Sequence, residues 1–297
     1  MTEYNLYDVI EDSKKILSES LQYNPYKTVV AFSGGDDSLT VMEVLKHFNR
    51  KPDFALFADT GTCIPATKNF VIEYCKQNNI HLLISHPKKT IRQHIRGNGF
   101  WGVGDSAHRI SFGELKGKPM LHQISKHIRK GQRGRDIVIF SGIRRDESQV
   151  RRTSEKYKSP FYREKRKNKS GKVSLSPNIW VSLIHKWSKE DCLEFLEWKE
   201  QVRNPVSIKL GRSGDCHCGT AINKPEKEFK ELLQNAPDVA KEISELNQYC
   251  IDNKKTRWCE PRIKANRLEE LGQCSIFDQI PDLCRGCKNK YVLTNGR

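Results

Sequence analysis

Residues 28–45 read TVVAFSGGDDSLTVMEVL, an apolar run that ends in Ser33, Gly34 and Gly35 and passes directly into a segment with helical spacing. A strand, a glycine turn and a helix in immediate succession open a β-α-β unit. Gly34 and Gly35 have no Cβ, so main-chain N–H groups can approach an anion closely there. Ser33 and Ser38 add hydroxyls, and the helix contributes its unpaired first amides and the positive end of its dipole. The loop is therefore predicted to hold a pyrophosphate. The competing reading is a tight strand-to-helix turn that binds nothing. Neither G-x-G-x-x-G nor G-x-x-x-x-G-K-[ST] occurs in this stretch, so the dinucleotide-fingerprint and Walker readings fail for it.

On the amino side, Leu6, Val9, Ile10, Ile16, Leu17 and Leu21 fall near helical spacing, and Asn24-Pro25 ends the pattern. This predicts a helix over 5–21 that lies on the sheet as a lid. On the carboxyl side, apolar runs at 54–58 and 81–85 alternate with helical stretches at 38–48 and 66–77, which predicts a parallel sheet with right-handed crossovers. Between 87 and 135 the pattern weakens around GNGFWGVGD, and we read insertions or a mobile flap with one helix near 120–130. Residues 136–141 (DIVIFS) and 180–184 (WVSLI) are the fourth and fifth strands, and the charged segment 153–174 between them reads as a flexible loop. Ser188 with Asp191 three residues on predicts a capped helix start that runs to Trp198. After Asn204-Pro205 the composition shifts towards Cys and Gly. The predicted organisation is an amino-terminal helix over 1–26, an α/β nucleotide-binding domain over 27–204 and a small, mostly helical, Cys-rich region over 205–297, with no internal repeat.

The 36% hydrophobic and 30% charged residues suit a globular chain with a solvated surface rather than a membrane protein. The opening residues MTEYNLYDVIEDSKKI are acidic and lack the apolar core of a signal sequence, so a cytoplasmic location is expected. From His86 to Ser170 there are 23 Lys or Arg against 7 Asp or Glu, a surplus of 16 that equals the net charge of the whole chain. Such a local excess favours polyanionic partners, nucleic acid among them.

Several other residues carry candidate chemistry. Asp59 closes an apolar strand just before Gly61, where its carboxylate can meet ribose, a metal or a nucleophile, or can simply cap the turn. Arg144 and Arg145 follow Gly142 at a strand end, where guanidinium groups can grip phosphate or sulfate, or instead pair with Asp146 and Glu147. Asp37 is placed either to bind Mg²⁺ bridging the phosphates or to complement the helix dipole. Seven of the ten cysteines crowd the last third of the chain. Cys216 and Cys218 (CxC) with Cys284 and Cys287 (CxxC) make a four-thiolate set for Zn²⁺ or a 4Fe-4S cluster, with Cys259 and Cys274 as alternative ligands and ordinary buried thiols as the bland reading. Cys63, Cys75, Cys192 and Cys250 are assigned to packing, and His217 to an exposed spacer.

SGGDDS resembles the PP-loop of the ATP pyrophosphatase and phosphoadenosine phosphosulfate (PAPS) reductase superfamily. Three further matches follow in family order. Asp59, Thr60 and Gly61, with Pro65 and Thr67, are similar to the segment beside the nucleotide. Residues 142–148 (GIRRDES), with Arg151 and Arg152, resemble the arginine motif, and IHKWSKEDCLEFL resembles the Trp-Ser-x-x-Asp helix start. The resemblance implies a flavodoxin-like layered fold and an adenine nucleotide across the carboxyl ends of the strands. On that basis the nucleotide contacts are Ser33, Gly34, Gly35, Asp36, Ser38, Asp59, Thr60, Gly61, Gly142 and Arg144, and the reacting phosphate is attended by Asp37, Asp59, Arg144 and Arg145. One position departs: many PP-loops have lysine where this chain has Asp36, so one phosphate-facing cation is lost. The tail lacks the Glu-Cys-Gly ending of assimilatory PAPS reductases and the paired cysteines of adenylylsulfate reductases, and is closer to the sulfurtransferase of DNA phosphorothioation and PAPS-reductase-like proteins.

Three functions follow as expectations. The first is an ATP pyrophosphatase that adenylylates an acceptor and passes sulfur to it, with nucleic acid as an acceptor for the basic face. The second is reductive cleavage of PAPS or adenylylsulfate to sulfite. The third is a non-catalytic nucleic-acid-binding module that stacks bases on Tyr157, Phe161 and Tyr162.

Overall fold

The computed structural model describes residues 5–132, 134–167, 171, 173–220 and 225–260. In chain order the elements are α1 (Leu6–Gln22), β1 (Lys27–Ala31), α2 (Asp36–His47), β2 (Phe54–Ala58), α3 (Pro65–Gln77), β3 (His81–Ser85), α4 (Ile91–Asn98), α5 (Asp105–Phe112) and α6 (Lys118–Gln123). There follow β4 (Ile137–Phe140), α7 (Gln149–Thr153), β5 (Phe161–Lys167), β6 (Val173–Val181), α8 (Lys189–Trp198), α9 (Pro205–Leu210), α10 (Pro225–Asn235) and α11 (Pro237–Asp252). The chain divides into two compact units. One comprises the described residues of 1–57, 66–85 and 120–214, and the other those of 58–65, 86–119 and 215–297.

The strands form one six-stranded sheet in the order β3-β2-β1-β4-β6-β5. β1 is parallel to β2, with Val29 opposite Phe54, and to β4, with Val30 opposite Phe140. β4 is parallel to β6, with Phe140 opposite Val181. Val29, Val30, Leu56, Phe57 and Ile137 through Phe140 are almost wholly buried. Burial on both faces is why these strands read as continuous apolar runs rather than alternating ones. The expected α/β layered architecture, a mostly parallel sheet flanked by helices, is the one observed. Strand order reverses between β1 and β4. In open sheets of this kind, ligands bind beyond the carboxyl ends of the strands at that reversal.

Two sequence expectations are corrected. The segment 153–174 is not simply a loop: residues 161–167 form β5, which pairs antiparallel with a β6 that begins well before the expected Trp180. β5 is an edge strand, and FYREKRK carries the charges that discourage edge-to-edge association, which hid it from a search for apolar alternation. Arg163 fixes the hairpin, its Nε donating to Ser176 O (2.6 Å) and its Nη2 to Asp136 (2.6 Å). The segment 87–135 is helical in large part: α4 is followed by α5, a π-helical turn at Gly113–Gly117 joins α5 to α6, and a second at Ile124–Arg129 continues α6. Gly97, Gly99, Gly102 and Gly104 broke the apparent periodicity, although Ile91, Ile95, Leu115, Ile124 and Ile128 are buried at helical spacing.

Candidate functional site

In the first unit the loop after β1 turns at Gly34, whose φ of +76° lies in the left-handed region that glycine adopts without strain. Gly35 is the N-cap of α2 in extended conformation, and no side chain caps the helix. The first amides of α2 therefore depend on another partner, which an anion would be. Ser38 Oγ donates to Gly35 O (2.9 Å) and lies 3.1 Å from Ser33 Oγ, so the two hydroxyls flank the turn.

The glycines also serve close packing. A Cβ on Gly34 would meet Val71 Cγ2 at 2.8 Å, and one on Gly35 would meet Ser213 Cβ at 2.9 Å. Asn204, wholly buried, donates from Nδ2 to Gly34 O (2.9 Å) and Thr67 Oγ1 (3.1 Å), while Thr67 donates to Ser213 O (2.5 Å). The loop is thus held from behind by residues of α3 and by the turn into α9. A Cβ on Gly142 would fall 2.8 Å from both Asp37 C and Ser38 N. The end of β4 therefore touches the first turn of α2 at the point where strand order reverses.

Asp36, at the departed lysine position, is buried and accepts a two-pronged bond from Arg203 (Nε 3.0 Å, Nη2 2.9 Å) and a third from Lys189 Nζ (2.9 Å). Burial alone would raise its carboxyl pKa, but the bonds from Arg203 and Lys189 outweigh that, and the net direction is down. Asp37 accepts from Arg144 Nε (3.0 Å) and Lys189 Nζ (3.3 Å), one cation on each oxygen. Arg144 is buried and pairs with Asp37, while Asp146 and Glu147 pair with Arg152 and Arg151. Arg145 is exposed, and its backbone N–H donates to His185 O (2.9 Å).

Sequence reading missed Lys189, Arg203 and Asn204. Lys189 follows the N-cap Ser188, whose capping box with Asp191 is formed as expected. A lysine in the first turn of a helix opposes the dipole, a signal that it answers a charge elsewhere.

In the second unit, Asp59 follows β2 in the chain, accepts from Gly61 N (3.1 Å) and lies 3.9 Å from His86 Nδ1. Gly61 has φ +82°, and the buried Thr60 donates to Asp215 O (2.9 Å). The thiols of Cys216 and Cys218 are close enough to influence each other, with Lys116 near both and bonded to Asp215 (2.6 Å). The neighbouring Cys216 thiol, with the hydroxyls of Thr220 and Ser111, draws the Cys218 thiol below its ordinary value against the effect of burial, while the proximity of Cys218 and then burial push Cys216 up. Among the described residues no three His, Cys, Asp or Glu side chains gather as a metal site, and Cys274, Cys284 and Cys287 lie outside the described residues. His217 is buried rather than an exposed spacer. Its N–H donates to Thr62 Oγ1 (3.0 Å), its Nδ1 meets Thr62 O (2.9 Å), and its carbonyl accepts from Trp258 Nε1 (3.1 Å). Cys75, Cys192 and Cys250 are buried, as packing requires, and burial pushes Cys75 and Cys192 up to about 12.

A helix start without a side-chain cap, placed where strand order reverses and with Arg144, Lys189 and Arg203 bonded to its first two carboxylates, is a geometry suited to an anion in an α/β domain. Residues 27–218 match the phosphoadenosine phosphosulfate reductase domain, and the chain belongs to that family, within the PP-loop superfamily. An uncharacterised protein of Methanocaldococcus jannaschii is 26% identical over 248 residues, covering 79% of this chain and 46% of the relative. The chain thus spans about half the length of that curated relative. Three solved structures are partly alike in chain path. PAPS reductase from Candida auris in a phosphate complex is 14% identical, with 71% of this chain and 93% of that one covered and a TM-score of 0.46. FMN adenylyltransferase from Candida glabrata with FAD and pyrophosphate is 12% identical, with 69% and 61% covered and a TM-score of 0.48. The U34-tRNA thiolase of Methanococcus maripaludis with its [4Fe-4S] cluster is 15% identical, with 83% and 79% covered and a TM-score of 0.41. Among the described residues no helix is long and apolar enough to cross a membrane.

Proposed function

We propose that the chain is an adenine-nucleotide enzyme of the ATP-pyrophosphatase type, working in a reducing compartment, that takes MgATP on Ser33 through Ser38. The observation that carries this reading is the start of α2, which has no side-chain cap and is touched by Gly142 at the strand-order reversal. An acceptor oxygen attacks the α-phosphorus, the bond to the β-phosphate oxygen breaks, and pyrophosphate leaves with the electron pair. The protein's part is positioning and charge neutralisation by main-chain amides, the hydroxyls of Ser33 and Ser38, and Arg144. Both oxygens of Asp37 are in ion pairs. Mg²⁺ therefore arrives as part of the nucleotide, since this ion is commonly held by substrate phosphates with few protein carboxylates.

The sulfur-handling half of the proposal rests on the second unit. Cys216 and Cys218 fit two positions of a four-thiolate site, and Cys284 and Cys287 would supply the others. A Zn²⁺ or iron–sulfur cluster held by all four would be coordinatively closed, so sulfide would be taken only where one of the four thiolates is not a ligand and leaves a coordination position open. Nucleic acid is the proposed acceptor, through phosphate contacts on the basic β5–β6 hairpin and on the turn before it that carries Lys156 and Lys158. Base stacking is not invoked, because Lys156 Nζ already lies over Tyr157 (5.3 Å) and Tyr162 (4.5 Å). The paired thiols also favour a second reading, reduction of PAPS or adenylylsulfate: one thiolate attacks the sulfur, the S–O bond breaks and the nucleotide phosphate leaves, and the second thiol then displaces sulfite as the pair is oxidised to a disulfide.

Incubation of anaerobically purified protein with labelled ATP or PAPS, with and without nucleic acid, separates the readings. AMP and pyrophosphate support the first, and sulfite the second. Salt-sensitive nucleic-acid binding without turnover of either nucleotide rejects both.

A further inference from the structure

The first turn of α2 begins with two carboxylates, Asp36 and Asp37, at the place where an anion is expected to bind. Left alone they would repel a phosphate. Three cations are hydrogen-bonded to them: Arg203 and Lys189 to Asp36, Arg144 and Lys189 to Asp37. Five ionised groups, three positive and two negative, leave a net charge of +1 beside the helix start. Asp36 is held below the usual carboxylate range despite its burial, and its bond to Lys189 helps to raise the lysine against the same effect, so both stay charged at neutral pH.

The three cations are not equally placed to meet a ligand. Arg203 spends Nε and Nη2 on one carboxylate, and the Arg144 side chain is only 9% exposed. The Lys189 side chain is 34% exposed, and its ammonium has three N–H donors, of which Asp36 and Asp37 take two. The lysine sits in the first turn of α8, where the helix dipole disfavours a cation, so its placement answers to the carboxylates of α2 rather than to its own helix.

We propose that Lys189 is the phosphate-facing cation of the loop, supplied from α8 in place of the lysine that SGGDDS lacks, with Asp36 and Arg203 as positioning residues that hold it there. This rests on reading Ser33 through Ser38 as the nucleotide loop. Asp36 in this account touches cations and not the nucleotide.

Calorimetric titration of the full chain with AMP and with the magnesium complex of a non-hydrolysable ATP analogue tests the assignment. Wild type should bind the analogue, and Lys189→Gln, which is one bond shorter but keeps an N–H donor and removes the charge, should weaken it by about tenfold to a hundredfold, the scale of one charge-assisted hydrogen bond. AMP affinity should change by less than about threefold, since the contact is with the outer phosphates. The double variant Asp36→Lys with Lys189→Gln returns the cation to the loop and should recover analogue binding. A wild type that binds neither ligand overturns the nucleotide-loop reading and the inference with it. Wild-type binding with an unaffected Lys189→Gln, or with AMP and analogue weakened equally, overturns the inference alone. If Lys189→Gln fails to fold, Lys189→Arg decides: it keeps the charge and should stay within about fivefold of wild type, and a loss beyond tenfold in the folded protein overturns the inference.

Discussion

Gly142→Ala places a methyl group where β4 meets α2. The added Cβ would lie 2.8 Å from Asp37 C and Ser38 N and 3.0 Å from Asp37 O, all backbone atoms that cannot rotate aside. Either β4 or the first turn of α2 must retreat by several tenths of an ångström. Overpacking of this kind costs about 1–3 kcal/mol. In a chain of this size each kcal/mol lowers Tm by roughly 2–4 °C, so thermal unfolding should come about 2–12 °C early. The retreat also moves the amides that are proposed to bind phosphate. Losing one hydrogen bond to a charged ligand is worth about 1.5–3 kcal/mol, or roughly tenfold or more in nucleotide affinity. Gly113→Ala is the control: nothing lies within 4 Å of its added Cβ, and its φ of −59° suits any residue. It should be neutral or slightly stabilising. Differential scanning fluorimetry and calorimetric titration read both effects. A folded Gly142→Ala with unchanged Tm and unchanged nucleotide affinity would refute the contact between β4 and α2 and the site built on it.

Asp36→Asn should lower stability by about 1–3 kcal/mol in urea unfolding. It strips the carboxylate from Arg203 and Lys189, though their partial exposure softens the loss; no change would mean that the ion pairs hold nothing. The start of β1 is tied by Asp53, which accepts from Lys27 Nζ (2.6 Å), Thr28 N (2.8 Å) and Thr28 Oγ1 (3.0 Å). Burial would raise this carboxyl, but Lys27 and Thr28 outweigh it and set it below the usual range. Its stabilisation is therefore present above the unfolded value of about 3.9 and disappears as pH falls through the lower folded value. Acid titration of Asp53→Asn should show a shallower loss of stability below about pH 4 than wild type, and parallel curves would contradict the assignment. Replacing Lys156, Lys158 and Lys165 with Gln should reduce the salt dependence of any duplex binding by about 0.9 in log–log slope for each phosphate that one of these lysines neutralises. An unchanged slope places the nucleic-acid face elsewhere.

How much was readable from the sequence depends on the range of the interaction concerned. The runs at 54–58 and 81–85 coincide with β2 and β3: β2, buried on both faces, writes its burial directly into composition, and β3, a half-buried edge strand, keeps the apolar run Leu82-Leu83-Ile84. The capping box at Ser188 and Asp191 is legible because both partners lie within one turn. β5 was not, since an exposed edge strand is made by backbone pairing with β6 and its side chains report the solvent. Within the site, the glycine turn and Gly142 were visible as residue types, but their neighbours were not. Asp36 meets Lys189 and Arg203 across 153 and 167 residues, and Asn204 reaches Gly34 across 170. Asn204-Pro205 looked like a chain breaker, when the asparagine is in fact the buried N-cap of α9 and a brace for the loop. Arg144 finding Asp37 rather than Asp146 likewise required the β4–α2 approach, which no local pattern encodes.

The most direct test is an amide chemical-shift titration of the isotope-labelled chain with inorganic pyrophosphate. The account expects the backbone N–H resonances of Gly35, Asp36, Asp37 and Ser38 to move first and furthest, with a smaller response along the rest of α2. Saturable binding that leaves those four amides unmoved while residues elsewhere respond would contradict it.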